Sequence, residues 1–209
     1  MLFQTIDINP TTKVYLWKIT ETFDELFRVV KLRDVSLARL EKMKSEEHQK
    51  GFLAVRMILQ HLDLDDFKLF YDESGKPHLL DCPLKEISIS HSHEFSAVAI
   101  SEKPIGLDLE KIKEKTLRIA PRFMDVSHLE NLSNEEKILK ATVIWGIKES
   151  IFKIKNQPGI SFPQHISETA FHLADQKTTA QLNFQNQKEN FQIVFNRAED
   201  YIFVCAFSV

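Results

Sequence analysis

The hydrophobic pattern of this chain changes period twice, each time in the same order: a strand-like run, a long helical stretch, then further strands. Val14-Tyr-Leu-Trp-Lys-Ile19 is β-branched and aromatic and reads as a strand. From Asp34 to about Leu62, apolar residues recur at Leu37, Leu40, Met43, Phe52, Val55, Ile58, Leu59 and Leu62. That spacing predicts one long helix, or two joined between Lys44 and Gly51. Residues 67–71, 87–92 and 96–100 read as strands, with Asp72-Glu-Ser-Gly-Lys-Pro77 supplying a turn. The order then repeats. Ile105-Gly-Leu-Asp-Leu-Glu110 alternates as a strand, and Ser133-Asn-Glu-Glu136 carries a capping-box pattern at a helix start. Ile138, Leu139, Val143, Ile147, Ile151 and Ile154 keep helical spacing to about Lys155, with Pro158-Gly159 expected to end the helix. Phe191-Gln-Ile-Val-Phe195 and Tyr201-Ile-Phe-Val-Cys-Ala-Phe207 read as closing antiparallel strands. The pattern predicts an α+β chain of two halves, 1–103 and 104–209.

Composition narrows the function classes. With 209 residues and 43% hydrophobic side chains, there is enough apolar material for one large or two small cores. The two cysteines, Cys82 and Cys205, lie in apolar surroundings far apart, which predicts buried free thiols in a reducing compartment. The start has no basic segment before an apolar one, and no apolar run reaches the roughly 20 residues a membrane helix needs. A cytoplasmic protein off the membrane is expected. A net charge of -3 gives no overall attraction to nucleic acid. Only 5 glycines occur, and neither G-x-x-x-x-G-K-[ST] nor G-x-G-x-x-G is present, so the two commonest nucleotide loops are excluded.

Several residue sets can carry chemistry. Asp108 and Glu110 alternate on one strand, so both side chains share a face. Two carboxylates so close repel unless a cation lies between them, and magnesium suits such a pair; equally, they are solvent-facing charges beside Lys111 and Lys113. Glu149 and Lys153, four apart on the predicted helix, form either a functional pair or an ordinary ion pair worth about 0.2–0.5 kcal/mol. His91, in Ser88-Ile-Ser-His-Ser92, sits among hydroxyls that suit an anion, or is a satisfied structural histidine. With His93 it lacks a third ligand for zinc. Arg39, Lys42, Lys44, Lys50 and Arg56 read as the solvated face of a helix, with Arg56 the exception amid Leu53, Val55 and Met57. Carboxylates for magnesium plus scattered cations point to a phosphate-containing substrate.

Four segments in order, Gly75-Lys-Pro77, Ile89-Ser-His-Ser92, Gly106-Leu-Asp-Leu-Glu110 and Trp145-Gly-Ile-Lys-Glu-Ser-Ile-Phe-Lys153, resemble the two-halved type of 4'-phosphopantetheinyl transferase. The resemblance runs from around Arg39 to about Phe162. It implies a pseudodimer of two similar α+β halves with the active site in the cleft between them. The first half would be the coenzyme A side and the second the magnesium and catalytic side. It further implies transfer of the phosphopantetheine arm of coenzyme A to a serine of an apo acyl or peptidyl carrier protein, by a monomer. By the same resemblance Asp108, Glu110 and Glu149 hold Mg²⁺. Glu149, directly or through a metal-bound water, takes the serine proton, and Lys153 contacts the pyrophosphate and assists departure of the leaving group. His91, with Ser90 as neighbour, binds coenzyme A phosphate oxygens, and Lys76 and Pro77 lie beside the adenine nucleotide. Arg39, Lys42, Lys50 and Arg56 face the 3'-phosphate. Arg122, Phe123 and Met124, in a stretch made basic by Lys111, Lys113, Lys115 and Arg118, meet an acidic carrier protein; equally, Phe123 and Met124 are simply core residues. His93-Glu94 and Gln157-Pro-Gly159 depart from the family pattern and bear on which carrier is accepted. Two other functions compete: a non-catalytic module binding coenzyme A or carrier protein, and a magnesium-dependent phosphoester hydrolase. The first is opposed by the complete set Asp108, Glu110, Glu149 and Lys153, and the second by the basic N-terminal positions and the Trp145 motif.

Overall fold

In the computed structural model, which describes residues 1–208, two compact units span Met1–Glu102 and Lys103–Val209. In the first unit, β1 (Leu2–Asn9) pairs with β2 (Thr12–Lys18), where Val14, Leu16 and Trp17 are buried. The sequence pattern does not predict β1, because most of its side chains are exposed and the alternation that marks a half-buried strand is weak there. Three helices follow: α1 (Phe23–Val29), α2 (Asp34–Glu41) and α3 (Glu46–His61). The stretch expected as one or two helices is therefore two, interrupted at Lys42-Met-Lys-Ser45. Helix α3 buries Phe52, Leu53, Val55, Ile58 and Leu59 against β2, β5 (Glu86–Ser92) and β6 (Phe95–Ser101). A small hairpin of β3 (Leu69–Tyr71) and β4 (Pro77–Leu79) precedes them. The main sheet runs in the order β1-β2-β6-β5, antiparallel throughout.

The second unit repeats the same economy with a longer helix. Strand β7 (Ile105–Lys111) is followed by α4 (Glu114–Ile119), α5 (Asn134–Lys155) and the single turn α6 (Phe162–His165). Then come β8 (Ile166–Glu168), β9 (Lys177–Phe184), β10 (Gln187–Ala198) and β11 (Tyr201–Ser208). The sheet order is β7-β11-β10-β9-β8, again antiparallel, and α5 packs chiefly on β7 and β11. Ile144, Ile147, Ile151, Phe191, Ile193 and Val204 form the centre of its core.

The predicted capping box is formed. Ser133 Oγ accepts from the Glu136 backbone N–H at 3.3 Å, and Glu136 Oε2 accepts from the Ser133 N–H at 2.9 Å. Each bond satisfies a donor that a helix start leaves open, so Ser133→Ala should lower stability by about 1 kcal/mol in urea unfolding. A variant with an unchanged midpoint would show that the cap contributes nothing. The other end differs from expectation: Asn156, at φ 46°, closes α5 before Pro158-Gly159 is reached. A left-handed residue there ends the helical ladder, and asparagine tolerates that conformation. Cys205 is buried and Cys82 half-buried, both free, and burial pushes the Cys205 thiol well above its ordinary pKa. Among the described residues no helix is long and apolar enough to cross a membrane.

Candidate functional site

Gly106, Asp108 and Glu110 occupy alternate positions of β7, so they share the face that meets α5. Across from them, Trp145, Glu149 and Lys153 recur every fourth residue along α5 and share a stripe. Lys153 Nζ donates to Asp108 Oδ1 at 2.9 Å and to the Leu107 carbonyl at 2.8 Å. Trp145 Nε1 donates to Glu110 Oε1 at 3.0 Å. Two glycines make the approach possible. A Cβ on Gly106 would sit 1.8 Å from the Ser150 carbonyl oxygen, and one on Gly146 would sit 2.5 Å from Val204 Cγ2.

The three carboxyl groups feel one another. Burial, then the Asp108 charge, raises the Glu110 pKa from its ordinary 4.5 to about 7, partly opposed by the Trp145 hydrogen bond and by Lys153. Glu149 is raised by burial and by Asp108, with Lys153 opposing. Asp108 thus raises the proton affinity of both glutamates, and the Lys153 ammonium opposes it at each. Among the described residues no three His, Cys, Asp or Glu side chains already form a metal cage. The donor set nevertheless fits a hard divalent cation: all its donor atoms are carboxylate oxygens, with Asp108 buried and Glu110 and Glu149 half-buried.

In the first unit, His91 lies exposed near the end of β5, its ring 5.9 Å from that of His48. Gly51 leaves room for it, since a Cβ there would lie 3.2 Å from the imidazole. Ser90, the residue before it, is buried. Lys76 Nζ is 4.0 Å from Glu86 Oε2, and Pro77, half-buried, opens β4 behind Gly75, which takes φ 84° in the turn. Arg39 and Lys42 are exposed, with the Arg39 guanidinium 4.6 Å from the Tyr71 ring centre. Lys50 lines a cavity with Glu46, Glu47, His93 and Glu94, acidic surroundings that disfavour an anion.

Two expectations are corrected. Arg56 does not face a phosphate: it is 2% exposed, donates from Nε to Asp66 Oδ1 at 3.0 Å and from Nη1 to the Phe52 carbonyl, and stacks on the Phe52 ring. Asp66 is itself buried and also accepts from Ser36 Oγ and the Arg33 N–H, so the guanidinium is a core ion-pair partner. Phe123 and Met124, expected to meet a carrier protein, are buried, with Phe123 edge-on to Trp145 at 5.0 Å; Arg122 alone of the three is exposed. Their apolar surface is used by the core of their own unit.

The structure also contains a buried ionic chain absent from the sequence reading. Lys148 donates to Glu168 Oε2 and to the Ile166 carbonyl, both at 2.6 Å, and Glu168 Oε1 pairs with His128 Nδ1 at 2.9 Å. No local signal marks Glu168 or His128, since they meet across 40 residues of chain.

The sequence profile of the 4'-phosphopantetheinyl transferase superfamily matches residues 104–206. Among curated proteins, the chain is 32% identical over 128 residues to 4'-phosphopantetheinyl transferase Sfp of Bacillus subtilis (strain 168), covering 57% of each chain. It is 30% identical over 151 residues to 4'-phosphopantetheinyl transferase ffp of Bacillus subtilis, covering 68% of this chain and 67% of that one. To 4'-phosphopantetheinyl transferase gsp of Aneurinibacillus migulanus it is 29% identical over 145 residues, 66% of this chain and 58% of the relative. The chain thus spans between about two fifths and two thirds of the length of the curated relatives it matches.

Proposed function

Since the chain belongs to the 4'-phosphopantetheinyl transferase superfamily, we propose that it moves the 4'-phosphopantetheine arm of coenzyme A onto a serine of an apo acyl or peptidyl carrier protein. The observation that carries this reading is the meeting of Asp108, Glu110, Glu149 and Lys153 between β7 and α5. Asp108, Glu110 and Glu149 would hold Mg²⁺, which when bound supplies positive charge to the pyrophosphate and to the oxygen that leaves it.

In the reaction, a bond forms between the serine Oγ and the phosphorus carrying pantetheine. The bond from that phosphorus to the bridging oxygen breaks, and adenosine 3',5'-bisphosphate departs with the electron pair. Glu149 takes the serine proton; its raised proton affinity suits a base that must accept a proton and pass it on. Lys153 offers its ammonium to the pyrophosphate oxygens, held ready by Asp108 and the Leu107 carbonyl. In the first unit, His91 contributes a phosphate contact, Lys76 and Pro77 border the adenine nucleotide, and the exposed Arg39 and Lys42 face the 3'-phosphate. Ser90 supports these contacts from a buried position, whereas Lys50, among Glu46, Glu47 and Glu94, is left out of the phosphate site. Arg122 and the exposed Lys113, Lys115 and Arg118 present the charge that an acidic carrier needs. The reading places the reaction in the cytoplasm and requires a single copy of the chain.

Incubation with coenzyme A, Mg²⁺ and a panel of apo carrier proteins tests this directly. The carrier should gain the mass of one phosphopantetheine per reactive serine, in step with release of adenosine 3',5'-bisphosphate. Coenzyme A binding without any mass gain would favour the non-catalytic module. Cleavage of coenzyme A with no carrier modified would favour the hydrolase.

A further inference from the structure

Lys148 stands beside Glu149 in sequence, yet about 100° away around the helix axis. It lies opposite Gly146 and Ser150, the residues that press α5 onto the sheet: Gly146 against Val204, and Ser150 through a 3.0 Å bond from Oγ to the Val204 carbonyl. On its own side the Lys148 ammonium is 2% exposed and ends on Glu168 and the Ile166 carbonyl of β8. The Glu168 carboxylate, 2% exposed at its side chain, is shared with His128. Helix α5 is therefore gripped on two faces, one by packing and the Ser150 hydrogen bond and the other by a buried ion pair.

A buried ion pair is a poor source of stability, because removing two charges from water cancels most of their attraction, and apolar side chains of similar size often do as well. What the pair does supply is direction. Sliding or rolling contacts between apolar side chains tolerate small rotations, whereas Lys148 must keep two short bonds to fixed acceptors. A rotation of α5 that broke them would swing Trp145, Glu149 and Lys153 away from Glu110 and Asp108, since all these residues ride on one rigid helix.

We propose that Glu168 is a positioning residue: through Lys148 it fixes the rotation of α5, and so the direction in which Glu149 and Lys153 point. This rests on the transfer reading above for its effect on the reaction, but not for its effect on the carboxylate cluster. Partners hydrogen-bonded directly to a metal ligand typically change activity or metal affinity by about 10–100-fold when removed, which sets the scale for Glu168, acting one step further out through Lys148 and the helix.

The test compares the native full chain with Lys148→Met/Glu168→Leu, which removes both charges while keeping apolar bulk. Three quantities are read: the melting temperature, kcat for carrier modification, and Mn²⁺ affinity by electron paramagnetic resonance in the presence of coenzyme A. The double variant should melt no lower than the native chain, yet lose about 10–100-fold in both kcat and Mn²⁺ affinity. A purely structural pair would leave kcat and Mn²⁺ affinity native in the double variant, and that result overturns the proposal. If the double variant does not fold, Glu168→Gln decides. Its neutral carbonyl holds the ammonium less firmly, so both values should fall, and native values in both overturn the idea. A native chain that modifies no carrier overturns the transfer reading instead, while the Mn²⁺ comparison still decides the positioning. A native chain that binds no Mn²⁺ overturns the positioning.

Discussion

Glu149→Gln is expected to cut carrier modification by about 10²–10⁴-fold while leaving the fold as stable as before or slightly more so. The loss follows from the role proposed for this side chain: an amide keeps the shape and size of the carboxylate but cannot accept the serine proton. The stability follows from charge. Glu149 and Glu110 both have pKa values raised in the folded chain, by burial first and then by Asp108. The sign runs opposite to that of an ordinary salt-bridged acid. Between about pH 4.5 and 7, the folded chain holds a proton at Glu110 that the unfolded chain releases, so this contribution favours the fold at the acid end and is lost as pH rises. Glu149 acts in the same direction, and its replacement by a neutral amide removes a repulsion that operates at neutral pH. Thermal unfolding at pH 8 paired with carrier mass spectrometry checks both halves. A variant that modifies carrier at the native rate would refute the assignment of Glu149 as base. One that unfolds many degrees lower would show that the side chain serves the fold.

Gly106→Ala is expected to do the reverse, breaking the fold without touching any reacting group. Its Cβ would fall 1.8 Å from the Ser150 carbonyl oxygen and 2.6 Å from the carbonyl carbon, both backbone atoms. Neither side can yield cheaply. Strand β7 is tied residue by residue to β11, with Gly106 opposite Ala206, and α5 is tied to the same β11 through Ser150 and Val204. Adding a single methyl group here should cost at least about 3 kcal/mol, the upper end for overpacking a core, measured as a drop in urea midpoint. Any molecules that still fold must push α5 off β7, which also parts Lys153 from Asp108, so residual activity should fall further than the folded fraction does. A native midpoint would mean that helix and strand are less rigidly joined than their bonds indicate.

The glycine of the G-x-D-x-E segment therefore has a packing explanation that its sequence context conceals. The same holds for Trp145, which the sequence marks only as part of a motif and which the structure gives a task, donating to Glu110 at 3.0 Å. The local parts of the site were legible because they depend on short periods. Strand alternation puts Asp108 and Glu110 on one face, the helical repeat aligns Glu149 with Lys153, and the S-x-x-E pattern starts the helix that carries them. Strand β1 and helix α1 were not legible, since one is largely exposed and the other buries only Leu26. Neither leaves a strong apolar rhythm in the chain.

Residues whose role depends on a distant partner are the ones that sequence leaves open or that the resemblance places elsewhere. A basic residue on a helix and an aromatic beside a basic stretch look the same in sequence whether they face water or the core. Arg56 faces inward because Asp66, Ser36 and Arg33 converge there, and Phe123 and Met124 because the unit's core has room for them. The sequence by itself determined the α+β order of elements, the face shared by the two β7 acids, the stripe shared by Glu149 and Lys153, and the family those segments resemble. Only the tertiary structure decided which charges are paired and buried: Arg56 with Asp66, and Lys148 with Glu168 and through it His128. The division has a physical cause. Backbone periodicity is written in neighbours a few residues apart, whereas the environment of a charge is set by whatever the fold brings beside it from anywhere in the chain.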